Sequence, residues 1–228
     1  LFVRGFTPPL RLADYKLVAF DMDSTLINIE CIDEIAQAVG RKAEVAAITE
    51  AAMRGEVHRL PLQPAPPPGA AARRALVSAG AGLRAAPAAS TPGSSLRAAC
   101  REAGLKTLLI SGGFTFFSER VRQRLKLDFA RANELDVVDG HLTGALVPRP
   151  WGDVVDGPEK RRVLLEVAEL MGISPAQTIA VGDGANDLPM MAVAGLSIAY
   201  HPKPAVLEQA MLSITEGGMD RALQLLQR

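Results

Sequence analysis

Four apolar residues, Leu17-Val18-Ala19-Phe20, run straight into Asp21-Met22-Asp23-Ser24-Thr25. An unbroken apolar run closed by polar residues reads as a strand buried on both faces that ends in a loop. The pattern recurs twice. Thr107-Leu108-Leu109-Ile110 leads into Ser111-Gly112-Gly113, and Thr178-Ile179-Ala180-Val181 leads into Gly182-Asp183-Gly184-Ala185-Asn186-Asp187. Helical spacing separates these runs, over about 115–125 and 158–171. Strand–loop–helix repeated in this way predicts an α/β fold, a Rossmann-like parallel sheet with helices on both faces. Right-handed crossovers place every such strand end on one edge, where open α/β sheets hold their ligands.

The rest of the chain is read in the same terms. Residues 1–15 form an irregular lead-in, with Pro8-Pro9 opposing a helix. Helices are expected at 32–39 and 41–54, broken at Gly40 and stopped at Gly55. A short helix ends near Ala103, and β-like runs over 129–147 carry a hairpin signal at Asp139-Gly140. After Asp187 a helix is expected to about Ala194, then short strands near 196–199 and 212–215, and a closing helix at 218–227.

The chemistry sits in the strand ends. Asp21 and Asp23 are close enough to repel unless a cation or a shared proton lies between them. A carboxylate is a competent nucleophile toward phosphorus, and a second acid can protonate the leaving oxygen and then take a proton from water. Asp21 and Asp183 suit a hard divalent ion such as Mg²⁺, which usually takes one or two carboxylates together with water and phosphate. Ser111 and neighbouring backbone N–H groups can cradle phosphate oxygens, and Lys160 adds positive charge. Each feature has an ordinary structural alternative: a helix cap, a turn, a solvated lysine. Their joint occurrence in this order points to phosphoryl transfer.

The set Asp21-Met22-Asp23-Ser24-Thr25, Ser111-Gly112-Gly113, Lys160 and Gly182-Asp183-Gly184-Ala185-Asn186-Asp187 resembles the four motifs of the haloacid-dehalogenase superfamily. Asn28 through Ala36, Ala132-Asn133-Glu134-Leu135 and Asp139 through Gly144 are similar to the branch that hydrolyses phosphoserine. The likeness covers about 16–56 and 100–215. It implies a catalytic core from 1–27 and 100–228, with a small helical cap region at 28–99 inserted after strand one. It implies Mg²⁺-dependent hydrolysis of O-phospho-L-serine to L-serine and phosphate, the last step of serine biosynthesis, through an aspartyl-phosphate. Residue by residue, Asp21 would be the nucleophile and a metal ligand. Asp23 would be the acid/base and lend a backbone carbonyl to the metal. Asp183 would be the third ligand, and Asp187 would orient the metal shell. Ser111, Gly112 and Lys160 would hold phosphate, Asn186 would position the substrate, and Glu30 would bind its ammonium group. Less selective phosphatases and phosphotransferases of the same superfamily share these motifs. A non-catalytic phospho-ligand binder is disfavoured by the presence of Asp21, Asp23, Lys160 and Asp183.

Residues 57–99 depart from this pattern. Between Val57 and Arg101 there is no Asp, Glu, Lys, Ile, Phe, Tyr or Trp, and Pro64-Ala65-Pro66-Pro67-Pro68 stands near the start. No helix carrying a basic residue for the substrate carboxylate is recognisable there, although Arg73, Arg74 and Arg84 are available charges. Two origins fit: a native Pro/Ala-rich linker, or a local shift of reading frame in a GC-rich coding sequence, restored near Leu96. The second would leave a chain with an intact catalytic core and an impaired cap.

The remaining partners are bounded by charge. Lys plus Arg equals Asp plus Glu at 25 each, which argues against nucleic acid or an anionic membrane as the main partner. No apolar run has the length of a membrane span, and the first residues lack a signal-peptide pattern. Cys31 and Cys100 form no metal-type pair, so reduced thiols and a cytoplasmic setting are expected. The expected partner is a small-molecule phosphomonoester. Oligomeric state is not legible.

Overall fold

The computed structural model describes residues 1–28, 31, 91–139, 141–149 and 154–227. Glu30, the helices expected at 32–39 and 41–54, and most of the unusual segment lie outside the described residues.

In chain order the elements are β1 (Phe2–Val3), β2 (Leu10–Arg11), β3 (Leu17–Phe20), α1 (Ser94–Glu102), β4 (Lys106–Phe114), α2 (Thr115–Leu125), β5 (Phe129–Asn133), β6 (Leu135–Val138), β7 (His141–Leu146), α3 (Gly157–Leu170), β8 (Thr178–Gly182), β9 (Leu196–Tyr200), β10 (Leu212–Ile214) and β11 (Leu226–Gln227). Short helical turns occupy Leu188–Met191 and Pro204–Leu207. Among the described residues a seven-stranded sheet has the order β1-β10-β9-β8-β3-β4-β5. β1 pairs antiparallel with β10, and the neighbouring pairs from β10 across to β5 are parallel. β6 and β7 form an antiparallel hairpin, and β11 pairs with β2.

β3 lies at the centre because its side chains are apolar on both faces. Val18 and Phe20 join one core with Leu109, Ile179 and Val181. Leu17 and Ala19 join the other with Leu108, Ile110 and Ala180. Helices therefore cover both faces, as a parallel sheet requires. Phe20 is level with Leu109 on one side and Val181 on the other. The residues that follow β3 and β8 thus emerge together at one edge, beside the continuing strand β4. Phe114, Phe117, Met190 and Met191 are buried, and Phe116 is half-buried against the core.

Several boundaries differ from expectation. Phe2–Val3 joins the sheet as its edge strand, although the lead-in carries no strand period. The closing helix is instead a 3-10 turn at Met219–Gln224 followed by β11. The helix after Asp187 is only Leu188–Met191, preceded by a 3-10 turn at Ala185–Asp187. The core also resumes earlier than residue 100. Leu96, Ala99 and Cys100 of α1 are buried in the main cluster, and a methyl on Gly93 would meet Leu26 Cδ1 at 2.7 Å. Gly93, Leu96, Ala99 and Cys100 therefore pack against the same cluster as Phe20 and Leu26.

Cys31 and Cys100 are both free and buried. Burial pushes the Cys100 thiol up to about 12, which withholds the reactive thiolate. A thiol reagent should label Cys100 only after denaturation. Mapped modification of the native chain at the denatured rate would contradict this packing. No helix among the described residues is long and apolar enough to cross a membrane.

Candidate active site

Asp21 continues the central strand by one residue, its N–H donating to Val181 O at 2.9 Å. The chain then turns sharply: Leu26 and Ile27 N–H groups both donate to Met22 O, and Ser24 takes a left-handed φ of 55°. This turn leaves the Asp21 carboxylate buried at the sheet edge. It also brings the buried Thr25 hydroxyl to Asp183 Oδ1, to which it donates at 3.2 Å. Asp23 Oδ1 accepts from the Cys31 N–H at 3.1 Å.

The second expected loop is not a loop. Ser111, Gly112 and Gly113 lie within the continuous strand β4, at a shift in its register against β5. Ser111 is buried and its Oγ accepts from the Gly113 N–H at 2.9 Å. A methyl on Gly113 would sit 3.1 Å from Ser111 Oγ, 3.3 Å from Met22 Cε and 3.5 Å from Asp23 Oδ2. Ser111 and Asp23 therefore flank the same glycine.

α3 delivers Lys160. Asp156 caps it, its side chain accepting from Glu159 N–H at 3.0 Å, and Pro158 occupies the first turn, where a missing N–H costs nothing. Lys160 is completely buried. Its Nζ donates to Asp21 Oδ1 and, at 2.7 Å, to Asp187 Oδ1. The other Asp187 oxygen accepts from the Asp183 and Gly184 N–H groups, each at 3.1 Å. Gly182 permits this closure, because a methyl there would lie 2.3 Å from the Asp187 carboxyl carbon. Gly157, at the start of α3, likewise packs against the Asn186 carbonyl.

Asp21, Asp183 and Asp187 are all buried, and each offers an oxygen within 4.8 Å of the others. Burial drives the Asp21 carboxyl well above the usual range; Lys160 opposes this, while Asp187, Asp183 and Asp23 add to it. Burial alone would lower Lys160, but Asp187 and Asp21 outweigh it and hold the ammonium above its ordinary value. Two of the three buried carboxylates, Asp21 and Asp187, thus share one buried ammonium. The surplus negative charge and the hard oxygen donors fit a divalent cation such as Mg²⁺. The Asn186 Oδ1 is a further buried acceptor, without a hydrogen-bond partner among the described residues.

The residues expected from the sequence therefore divide as follows. Asp21, Lys160, Asp183 and Asp187 form one contiguous cluster. Asp23 and Ser111 are joined to it through the Asp21 turn and the β4 edge. Glu30 lies outside the described residues. Thr25 carried no expected role, yet it fixes Asp183; its position inside the first acidic motif was the available signal.

The family model for haloacid dehalogenase-like hydrolases matches residues 18–192. A phosphoserine phosphatase of Polaromonas sp. (strain JS666 / ATCC BAA-500) is 57% identical, over 99% of this chain and 95% of that one. Another, from Albidiferax ferrireducens, is 57% identical over 100% of this chain and 96% of its own. A solved phospho-aspartyl intermediate analogue of phosphoserine phosphatase superposes with TM-score 0.76 at 33% identity, covering 93% of this chain and 99% of that one. A substrate-bound phosphoserine phosphatase complex gives TM-score 0.75 at 33% identity, over 93% and 99%. The family model and these whole-length relatives agree, and the chain belongs to the phosphoserine phosphatases of the haloacid dehalogenase-like hydrolase family.

Proposed function

We propose that the chain hydrolyses O-phospho-L-serine to L-serine and inorganic phosphate through a phosphorylated Asp21. The carrying observation is the buried Asp21 carboxylate, contacted by Lys160 Nζ and set among Asp183 and Asp187 at the end of the central strand. Asp21 attacks phosphorus in line, forming the Asp21–phosphate bond as the bond to serine Oγ breaks. Asp23 gives its proton to that leaving oxygen, then takes a proton from the water that attacks the aspartyl-phosphate. Phosphate departs and Asp21 is regenerated. Ser111, Gly112 and Lys160 bind the non-transferring phosphate oxygens, and Lys160 offsets the charge that builds on them.

Asp21, Asp183 and the Asp23 carbonyl are the residues that would hold Mg²⁺, which supplies positive charge to phosphate and nucleophile. Asp187 has both oxygens engaged by protein donors, which suits it to orienting Lys160 and the Asp183 loop rather than to ligating. Asn186, whose Oδ1 is buried without a hydrogen-bond partner among the described residues, is read as positioning the substrate, and Glu30 as binding its ammonium group. Residues 28–90 are read as a cap over a core made of the remainder, and the free buried thiols suit a reducing, cytoplasmic setting.

Rapid acid quench during turnover, followed by peptide mapping, tests the chemistry: phosphate is expected on Asp21. Turnover of phosphoserine with no adduct there would overturn it. The composition of residues 57–90 adds a second expectation. A site built to hydrogen-bond its substrate discriminates by about 10⁴–10⁵-fold. With no acids or aromatics in that stretch, the preference for phosphoserine over 4-nitrophenyl phosphate should fall to about 10²-fold or less in kcat/KM. A ratio of the former size would show that the stretch does not weaken selection.

A further inference from the structure

β4 and β5 are level at Ile110 and Arg131, and again at Phe114 and Asn133. Three residues of β4, Ser111 to Gly113, therefore stand opposite the single residue Ala132. Such a bulge takes backbone groups out of the ladder and re-aims them. The displaced Gly112 carbonyl needs a new donor. Asn133 supplies it, donating from Nδ2 to Gly112 O at 2.8 Å. The other end of the same carboxamide, Oδ1, accepts from Val155 N–H at 2.9 Å. A carbonyl on one side and an N–H on the other fix which way the amide points, since the flipped form would oppose like groups at both ends.

Val155 immediately precedes Asp156, the cap of α3, and Lys160 lies four residues after that cap, its N–H donating to Asp156 O at 2.8 Å. The two segments bridged by Asn133 also approach closely: a methyl on Gly112 would lie 3.2 Å from Val155 O. Asn133 is largely withdrawn from solvent at 8% exposure, so water competes poorly for either bond. Its amide thus ties the strand bulge bearing Ser111 and Gly112 to the helix bearing Lys160.

We propose that Asn133 is a positioning residue for phosphoryl transfer, setting the spacing between the Ser111–Gly112 bulge and Lys160 by bridging Gly112 O and Val155 N. This rests on the reading of Ser111, Gly112 and Lys160 as the phosphate-holding groups. Asn133 spends both ends of its amide on backbone groups. It acts through the two segments it joins, so it governs phosphate binding and turnover but not the carboxylates that ligate Mg²⁺.

The test uses the full chain with Asn133→Ala, and Asn133→Asp should the alanine variant fail to fold. In either variant the inhibition constant of inorganic phosphate should rise about tenfold and kcat should fall about tenfold. The Mg²⁺ concentration for half-activation should stay within about twofold. Unchanged phosphate inhibition and kcat would overturn the role. So would phosphate inhibition, kcat and the Mg²⁺ requirement all worsening together, which marks a merely structural residue. Ser111→Ala separates the two levels. If that variant also leaves phosphate inhibition unchanged, the reading of the bulge as a phosphate cradle fails. If it weakens phosphate inhibition while the Asn133 variants do not, only the role of Asn133 falls.

Discussion

Lys160→Met should remove measurable turnover and destabilise the chain at once. The ammonium is fully buried, bonded to Asp21 Oδ1 and to Asp187 Oδ1. Methionine fills much of the same volume but supplies no charge. Two buried carboxylates then lose their shared counter-ion, a loss of about 3–5 kcal/mol when one partner of a buried ion pair is deleted. Urea denaturation in EDTA should report that decrease. Catalysis should drop by at least about 10³-fold, the usual scale for removing a cation aimed at a transferring phosphoryl group. Added Mg²⁺ should restore part of the stability, because a cation among the acids replaces some of the lost charge. It should not restore turnover. Lys160→Arg is no remedy, since a guanidinium is broader than the ammonium and the site is closed. A Lys160→Met variant as stable as the parent in EDTA would mean that this lysine does not offset the charge of the buried acids.

The sequence made the catalytic edge legible because burial on both faces leaves a plain signature. Leu17–Phe20, Leu108–Ile110 and Thr178–Val181 are continuous apolar runs, and the residues after them are polar. Parallel pairing then levels Phe20 with Leu109 and Val181, so Asp21 and Asp183 meet without any local sequence signal. What escaped the sequence is short or depends on register. Phe2–Val3 and Leu226–Gln227 are two residues each, too few to show a period of two. The continuation of β4 through Ser111-Gly112-Gly113 was hidden because two glycines read as a turn, whereas here they serve a bulge within a strand. The early return of the core at Gly93 and Leu96 was masked by the Ala- and Pro-rich residues before it. Composition averages over a window, while packing against Leu26 is decided by single side chains. The binding of Asp187 to two N–H groups was equally out of reach, since it depends on how tightly the chain folds back after Gly182.

Asp21→Asn should abolish turnover and yet make the metal-free chain more stable. The amide cannot form the aspartyl-phosphate, so kcat should fall by at least about 10⁴-fold, leaving only what binding provides. Stability follows a different rule. In the native state burial, opposed by Lys160 and reinforced by Asp187, Asp183 and Asp23, raises the Asp21 carboxyl well above its ordinary 3.8. Between 3.8 and that raised value the folded chain holds a proton that the unfolded chain has released. Folding stability therefore falls as pH rises through this interval, because burial makes the native state hold a proton that the unfolded chain has already lost. Asparagine removes this titrating carboxyl, while Lys160 keeps Asp187 as a partner. In EDTA near neutral pH the variant should be more stable by about 1–2 kcal/mol. The gain should shrink below the ordinary carboxyl value, where Asp21 is protonated in both folded and unfolded chains. With Mg²⁺ the order should reverse, because the parent offers one more anionic ligand and gains more from the cation. Denaturation of both chains with and without Mg²⁺ at several pH values measures all three differences. A variant less stable than its parent in EDTA at neutral pH would show that Lys160 fully neutralises Asp21, leaving no excess charge for a metal ion to balance.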